Sequence, residues 1–197
     1  MTDTEMVNML QLGIKRDVER GYSCDDYHQL IALSVKQHAE KIGRDIDYIE
    51  IGTLTGNSAE AVLITGMVRR AVLVDNFSLV WAGGKQSKET VSARLAKYDG
   101  KFEVMEGDSR KIVRNLTEMF DVGFVDGDHE AESCRIDMMN MLPRLRDDGV
   151  MFVHDVGNES FTYLQPIVAA FAKQNKLVMQ LHEVSDGLAE LRRKPNL

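Results

Sequence analysis

The chain has little of what marks a secreted, membrane-spanning or nucleic-acid-binding protein. Its two cysteines, Cys24 and Cys134, show no metal-binding spacing, so we expect both to be reduced, buried thiols. No signal-peptide pattern is present, and no apolar run is long enough to cross a bilayer. Lysine and arginine number 24 against 31 aspartates and glutamates, which argues against a protein that mainly grips nucleic-acid phosphates. These absences predict a cytoplasmic protein without membrane or nucleic-acid partners.

What is present is an ordinary globular composition, with 44% apolar and 28% charged residues over 197 positions. This length predicts one domain with a sizeable core. Two amphipathic segments, 3–20 and 25–42, carry apolar residues at helical spacing. Ser23 is the predicted N-cap of the second helix.

From residue 48 onwards, short apolar runs alternate with segments of helical length. The predicted strands are YIEIG at 48–52 and then 70–77, 101–108, 120–127, 150–156 and 177–184, and the predicted helices are 55–67, 86–97, 109–118, 129–146 and 160–175. Apolar strands separated by helices indicate a parallel sheet covered on both faces. The turn-forming SDG at 185–187 predicts a terminal hairpin with an antiparallel last strand.

Each of the first five predicted strands ends in an acidic residue. In chain order these acids are Glu50, Asp75, Asp108, Asp126 and Asp155, and Gly52, Gly107, Asp128, His129 and His154 lie beside them. A single acid at a strand end is often a helix cap. Because ligands of such sheets bind outside the carboxyl ends of the strands, five acids at one edge predict a site there.

The spacing of small and acidic residues favours an adenosine-containing ligand. Gly52 and Gly56 form G-x-x-x-G, which differs from the G-x-G-x-x-G that positions a pyrophosphate. Asp75 ends the second strand at the distance from the first where a carboxylate accepts hydrogen bonds from both ribose hydroxyls. Asp108, followed by Ser109, is a candidate acceptor for the adenine amine. Alone, each feature is also explained by a flexible turn or a helix cap; together they favour a cofactor site.

Four stretches resemble the successive motifs of class I S-adenosylmethionine-dependent methyltransferases. They are YIEIGTLTGNSAEAVL, AVLVDNF, FEVMEGDSRKIV and residues 120–156, which contain DGDH and HD as in the small-molecule O-methyltransferase-like group. The resemblance covers residues 46–193. It implies an α/β fold, a Rossmann-like three-layer sandwich whose seven-stranded sheet has the order 3-2-1-4-5-7-6 and an antiparallel last strand. We therefore expect a single domain, 1–197, with N-terminal helices in 1–45 and the cofactor-binding core in 46–193.

Carried over residue by residue, the resemblance implies which side chains bind S-adenosylmethionine. Glu50, Gly52, Thr53 and Gly56 would line its methionine and ribose end, Asp75 would bind the ribose hydroxyls, Asn76 would lie beside the adenine, Asp108 and Ser109 would contact the adenine, and Asp126 would lie near the sulfonium. This cofactor has no phosphate, which agrees with the missing pyrophosphate motif.

Methyl transfer from a sulfonium requires alignment of the acceptor and its deprotonation. His129 and His154 are candidate bases beside Asp126, since the unperturbed pKa of histidine lies near neutrality. Alternatively, the carboxylates of this region are hard oxygen ligands suited to Mg²⁺, which would lower the pKa of an acceptor hydroxyl. Asp126 and Asp155 are the tentative metal ligands, with Asp128 a third candidate. Metal-dependent relatives usually have Asp-Asn or Asp-Asp where this chain has His154-Asp155, so both routes stay open.

The favoured hypothesis is S-adenosylmethionine-dependent methyl transfer to a small-molecule acceptor, at a hydroxyl oxygen. One alternative is a non-catalytic module that keeps the fold and binds a partner. Another is a nicotinamide-dependent oxidoreductase, against which the missing G-x-G-x-x-G and the terminal hairpin count. Little chain precedes the first strand to build an acceptor pocket, so a homo-oligomer is a candidate arrangement. His28, His38 and His182 are predicted to lie away from the site.

Overall fold

The computed structural model describes residues 26–81 and 84–194, with only the backbone of Trp81. The predicted helix 3–20, Ser23 and Cys24 lie outside the described residues. The first described helix, α1, spans Tyr27–Ile42 and ends at Gly43, whose φ of 70° is the left-handed conformation that favours glycine at a helix end. Its apolar residues Ile31 and Val35 are buried. The predicted helix 25–42 is therefore present.

The seven strands form one sheet in the predicted order. They are β1 (Ile46–Ile51), β2 (Val68–Asp75), β3 (Phe102–Glu106), β4 (Phe120–Val125), β5 (Leu145–His154), β6 (Leu177–His182) and β7 (Leu188–Arg193). Their order is β3-β2-β1-β4-β5-β7-β6. β7 is antiparallel to both β5 and β6, whereas the other neighbours are parallel. The predicted Rossmann-like sheet with an antiparallel last strand is confirmed.

Five further helices connect the strands, and each is shorter than its predicted segment. They are α2 (Asn57–Ile64), α3 (Lys88–Arg94), α4 (Ser109–Asn115), α5 (Ala131–Met141) and α6 (Leu164–Gln174). Pro143 ends α5 early, because its ring and missing N–H do not fit a helix interior. Among the described helices, none is long and apolar enough to span a membrane.

Helices cover both faces of the sheet, which explains the nearly continuous apolar strands. β1 and β4 are buried at every position. One core cluster joins the sheet to α4, α5 and α6, and the other joins it to α1, α2 and α3. Cys134 is a free, buried thiol in the first cluster, as predicted. Packing on both faces leaves the two ends of the strands as the places for polar groups.

The amino edge of the sheet is closed by ion pairs. Asp121 is fully buried and accepts hydrogen bonds from Arg44 Nη2 at 2.7 Å and from the Asp47 amide at 2.8 Å. Arg146 Nη1 lies 3.3 Å from the same carboxylate. His38 and Asp148 also lie close to Asp121. Two guanidinium groups already neutralise this carboxylate, so the cluster is a poor place for a cation.

Candidate active site

The carboxyl edge contains a cavity of about 730 Å³, a size typical of small-molecule sites. It lies beside β1, between β2 and β4, where the strand order reverses. Ten of the predicted site residues line it: Gly52, Thr53, Asp75, Asn76, Asp108, Ser109, Asp126, His129, His154 and Asp155. Glu50 and Gly56 are not among its lining residues. The sequence therefore predicted most of this wall.

The loop after β1 forms one side of the cavity through unusual backbone geometry. Gly52 has a φ of 91°, and a Cβ on it would lie 1.8 Å from the carbonyl oxygen of Asp126. A glycine is thus required where the loops after β1 and β4 touch. Asn57 Oδ1 is one of the buried side-chain atoms without a hydrogen-bond partner among the described residues. It lines the cavity, as Thr53 does, so it is suited to a polar group of a ligand.

Glu50 is fully buried and supports this loop from below. Its carboxyl oxygens accept hydrogen bonds from Tyr48 Oη at 2.7 Å and Ser58 Oγ at 2.8 Å. Burial raises the pKa of Glu50 to about 7. The sequence-based interpretation did not include Tyr48, although Tyr48 and Glu50 are two positions apart on a strand and therefore share a face.

Asp75 stands at the end of β2 with both carboxylate oxygens turned to backbone amides. Oδ2 accepts from Leu54 N and Oδ1 from Phe77 N, each at 2.7 Å. Leu54 and Phe77 have φ values of 43° and 49°, in the left-handed region that costs non-glycine residues free energy. A carboxylate has about four acceptor positions, so Asp75 keeps capacity for ribose hydroxyls in the cavity.

Asp108 and Ser109, which follow β3, line the cavity and make different contacts. Asp108 caps α4, and its oxygens also bind Arg110 through Nε at 2.8 Å and Nη2 at 3.1 Å. Ser109 Oγ instead donates a 2.8 Å hydrogen bond to Oδ1 of Asp137 on α5. Asp137 lines the cavity and was not predicted. The sequence feature that could have indicated Asp137 is its position on the helix face that also carries the buried Cys134 and Met138.

Two histidines and two aspartates meet between the ends of β4 and β5. His154 Nδ1 lies 3.2 Å from Asp126 Oδ1 and 3.0 Å from Asp155 Oδ2. His129 Nε2 lies 2.7 Å from Asp155 Oδ2 and 3.8 Å from Asp126 Oδ1. Asp155 has a φ of 61°, a strained conformation often found at functional sites. The structure therefore brings together four of the five residues expected to act on the acceptor.

The charges in this cluster shift every pKa toward the ionised forms. Burial opposes protonation of His154, but the charges and hydrogen bonds of Asp126 and Asp155 raise its pKa to about 10. The nearby carboxylates of Asp126 and Asp155 raise the pKa of His129 to about 9. Against the effect of burial, the two imidazoles lower the pKa of Asp155. In the metal-free protein both histidines are therefore cationic at neutral pH.

Asp128 does not join this cluster, although it was a candidate metal ligand. Its Oδ1 accepts from the Glu130 amide at 3.0 Å and its Oδ2 from Ser133 Oγ at 2.9 Å. These contacts hold the turn that precedes α5 against its first turn. They explain why an acid follows Asp126 so closely without facing the histidines.

The first turn of α1 supplies cavity residues that the sequence placed elsewhere. Tyr27 and His28 both line the cavity, and the Tyr27 ring centroid lies 4.0 Å from that of His154. The prediction that His28 lies away from the site is wrong, because α1 covers one face of the sheet and its first turn reaches the carboxyl edge. Burial lowers the pKa of His28 to about 4. Phe161, also not predicted, stacks on His129 with centroids 4.5 Å apart.

Asp126, His154 and Asp155 lie close enough together to bind one divalent ion, and their side-chain types bear on which ion. Asp126, His154 and Asp155 each place a ligand atom within 4.8 Å of the others. Two carboxylates suit Mg²⁺, but an imidazole nitrogen is a ligand that transition ions accept more readily. Binding through His154 also requires that the imidazole lose its proton.

The fold and the cavity together define a class I S-adenosylmethionine-dependent methyltransferase architecture. Residues 49–156 match the family model described as a methyltransferase domain, and the chain belongs to this family. No curated protein matches the sequence.

Solved methyltransferase structures share the fold at low identity. A putative caffeoyl-CoA O-methyltransferase from Staphylococcus aureus has a TM-score of 0.71 at 15% identity, covering 98% of this chain and 99% of that chain. The S-adenosylhomocysteine-bound methyltransferase PaMTH1 from Podospora anserina has a TM-score of 0.67 at 16% identity, with coverages of 96% and 87%. The O-methyltransferase TomG from Streptomyces achromogenes, in complex with S-adenosylmethionine, has a TM-score of 0.64 at 16% identity, with coverages of 94% and 89%.

Proposed function

We propose that this protein transfers a methyl group from S-adenosylmethionine to a hydroxyl oxygen of a small molecule. One observation carries the proposal: the carboxylate that ends β2 and the His–Asp cluster that ends β4 and β5 face the same cavity. A cofactor site and an acceptor site are thereby adjacent. The family match supports methyl transfer, and the structural relatives named as O-methyltransferases support oxygen as the acceptor atom.

In the proposed complex the cofactor lies across the ends of β1 to β4. Gly52 and Thr53, supported by Glu50 beneath and by Gly56 at the start of α2, face its methionine and ribose end. Asp75 accepts the ribose hydroxyls. Asn76, Asp108 and Ser109 border the adenine, and Asp126 lies near the sulfonium. We treat 1–197 as one domain with this core in 46–193.

The protonation of His129 and His154 determines which form of the acceptor oxygen the site favours. At neutral pH both imidazoles are protonated. His154 uses both of its nitrogens within the protein, Nδ1 toward Asp126 and Asp155 and Nε2 toward the carbonyl oxygen of Ser185. The positive charge of His129, which also lines the cavity, therefore favours an acceptor oxygen that has already become anionic. The aromatic ring of Phe161 stacks on His129 and lines the same cavity. A divalent ion, when bound, would lower the pKa of the acceptor hydroxyl. Asp126, Asp155 and a deprotonated His154 are the residues that would hold it.

Binding calorimetry with S-adenosylmethionine, S-adenosylhomocysteine and NAD tests the cofactor assignment. The two adenosyl compounds should bind with a one-to-one stoichiometry, whereas NAD should not bind. Tight NAD binding would instead support an oxidoreductase. A mass-spectrometric screen of hydroxylated small molecules, with and without Mg²⁺, then tests the reaction. Cofactor binding without methylation of any acceptor would favour the non-catalytic partner-binding module.

A further inference from the structure

Asp137 is a buried carboxyl group that the proposed methyl transfer does not use. It is only 2% exposed, yet it lines the cavity. Burying a carboxylate is costly unless hydrogen-bond donors satisfy it. In the part of the chain that the structure describes, its hydrogen-bond partner is the hydroxyl of Ser109. One neutral donor satisfies only part of the capacity of a carboxylate, which has about four acceptor positions.

The charged groups near Asp137 do not compensate for this shortage. Burial raises the pKa of Asp137 to about 6, and the effect of Arg110, which lowers it, is opposed by Asp108 and Asp128. Above neutral pH the group is therefore mostly ionised and still short of donors. A ligand that brings an N–H group to this carboxylate would be stabilised by it.

The position of Asp137 identifies which part of the ligand meets it. Ser109 follows β3, and β3 neighbours β2, whose end carries the ribose-binding candidate Asp75. An adenosine whose ribose lies on Asp75 and whose base extends toward β3 meets Ser109 and Asp137. On the other side, Gly127 packs against the carboxylate, since a Cβ there would lie 3.4 Å from Asp137 Oδ2 and 3.1 Å from Ile51 Cγ2.

We propose that Asp137, held by Ser109, accepts a hydrogen bond from the exocyclic amine of the cofactor's adenine and so selects an aminopurine over an oxopurine. This inference rests on the proposed use of S-adenosylmethionine. Asp108, the acid that the sequence suggested for this role, is less suited because Arg110 engages both of its oxygens. Hypoxanthine has an oxygen in place of the amine, and that oxygen would face the carboxylate lone pairs.

The experiment compares S-adenosylhomocysteine with S-inosylhomocysteine by calorimetry at pH 7.5. The second compound has an oxo group in place of the 6-amine and carries a proton on N1. Because a hydrogen bond to a charged group contributes strongly, the wild-type protein should bind the adenine compound at least about tenfold more tightly. In Asp137→Asn the amide can turn its NH₂ toward an oxo group, so this preference should fall below about threefold. Asp147→Asn, at a fully exposed carboxylate outside the cavity, is the matched control and should keep the preference. Asp108→Asn tests the competing assignment and should keep the preference too.

Ser109 positions Asp137, and two substitutions of Ser109 separate the effect of its hydroxyl group from the effect of its size. Ser109→Ala should reduce the preference, and Ser109→Thr, which keeps the hydroxyl, should restore it. A wild-type preference below about threefold would overturn the proposal without any variant. So would a preference that survives Asp137→Asn and disappears in Asp108→Asn. If neither compound binds the wild-type protein, the proposed cofactor is wrong, and the failure lies with the proposed function.

Discussion

His129 Nε2 lies 2.7 Å from Asp155 Oδ2, and this ion pair joins the loop after β4 to the loop after β5. The same carboxylate oxygen lies 3.0 Å from His154 Nδ1. An ion held by Asp126 and Asp155 would have to displace these cationic contacts. The arrangement present is bridged by imidazolium, and an arrangement bridged by metal would have to replace these contacts.

The first prediction distinguishes these arrangements once an acceptor is known. If a metal activates the acceptor, a chelator should abolish turnover and leave cofactor binding intact, and Asp126→Asn and Asp155→Asn should do the same. If histidines act on the acceptor, the chelator should have no effect, and His129→Gln or His154→Gln should lower the rate by about 10²–10⁴. We expect at least one of these dependences.

His182→Gln is the matched control, because His182 pairs with Glu190 on the edge hairpin, away from the cavity. Turnover that survives the chelator and all four substitutions would show that the cluster is structural and that the acceptor binds elsewhere.

The second prediction concerns Asp75. Asp75→Ala removes the proposed ribose contacts and also releases the amides of Leu54 and Phe77. Hydrogen bonds to a charged group contribute about 1.5–3 kcal/mol each, so the affinity for S-adenosylhomocysteine should drop at least tenfold. Calorimetry measures the drop against Asp147→Ala, whose side chain is fully exposed. Equal affinities in the two variants would contradict the ribose assignment.

The third prediction separates steric contact from backbone strain at glycine. A Cβ at Gly52 would lie 1.8 Å from the Asp126 carbonyl oxygen, whereas one at Gly66, with a φ of 71°, would meet nothing within 4 Å. Gly66→Ala should cost only the left-handed strain, about 1–2 kcal/mol. Gly52→Ala should cost about 3 kcal/mol or more and weaken cofactor binding. Urea unfolding provides both values, and similar losses would show that the loops after β1 and β4 separate easily.

The fourth prediction follows from the buried Glu50. Its folded-state pKa of about 7 lies above the ordinary value of 4.5, so between these pH values the native state holds more protons than the unfolded state. The free energy of unfolding should therefore fall as the pH rises from about 4.5 to about 7, by up to about 3 kcal/mol from this group. Glu50→Gln removes the titration. Relative to wild type, the variant should gain stability between pH 5 and pH 8, and parallel urea-unfolding profiles would contradict this.

The parallel sheet was predictable because burial on both faces leaves long apolar runs, and its antiparallel last strand because SDG marks the terminal hairpin. The strand order itself came from the resemblance to class I methyltransferases. The boundary between α5 and β5 was not predictable from the sequence. Residues 145–149 belong to β5, although much of this stretch is polar, because Leu145 pairs with Phe120 across a register shift. That pairing depends on a neighbouring strand, which a local pattern does not reveal.

The candidate site could be predicted where its residues follow strands directly, as Asp75 and Asp126 do. Tyr27 and His28 could not, since only the packing of α1 on one face of the sheet brings its first turn to the cavity. Asp137 was visible in the sequence as a polar residue on an apolar helix face, but its meaning depends on its contact with Ser109.

The cavity walls come from chain segments as far apart as Tyr27 and Phe161, which meet only when the sheet is complete. A compound that occupies the cavity therefore binds the native chain and has no site on the unfolded one. By mass action, a ligand at one hundred times its Kd adds about 2.7 kcal/mol to the free energy of unfolding. The melting temperature of the protein therefore rises when a ligand occupies the cavity at the carboxyl edge of the sheet. Thermal-shift screening in the presence of S-adenosylhomocysteine can therefore find acceptors before any reaction is known.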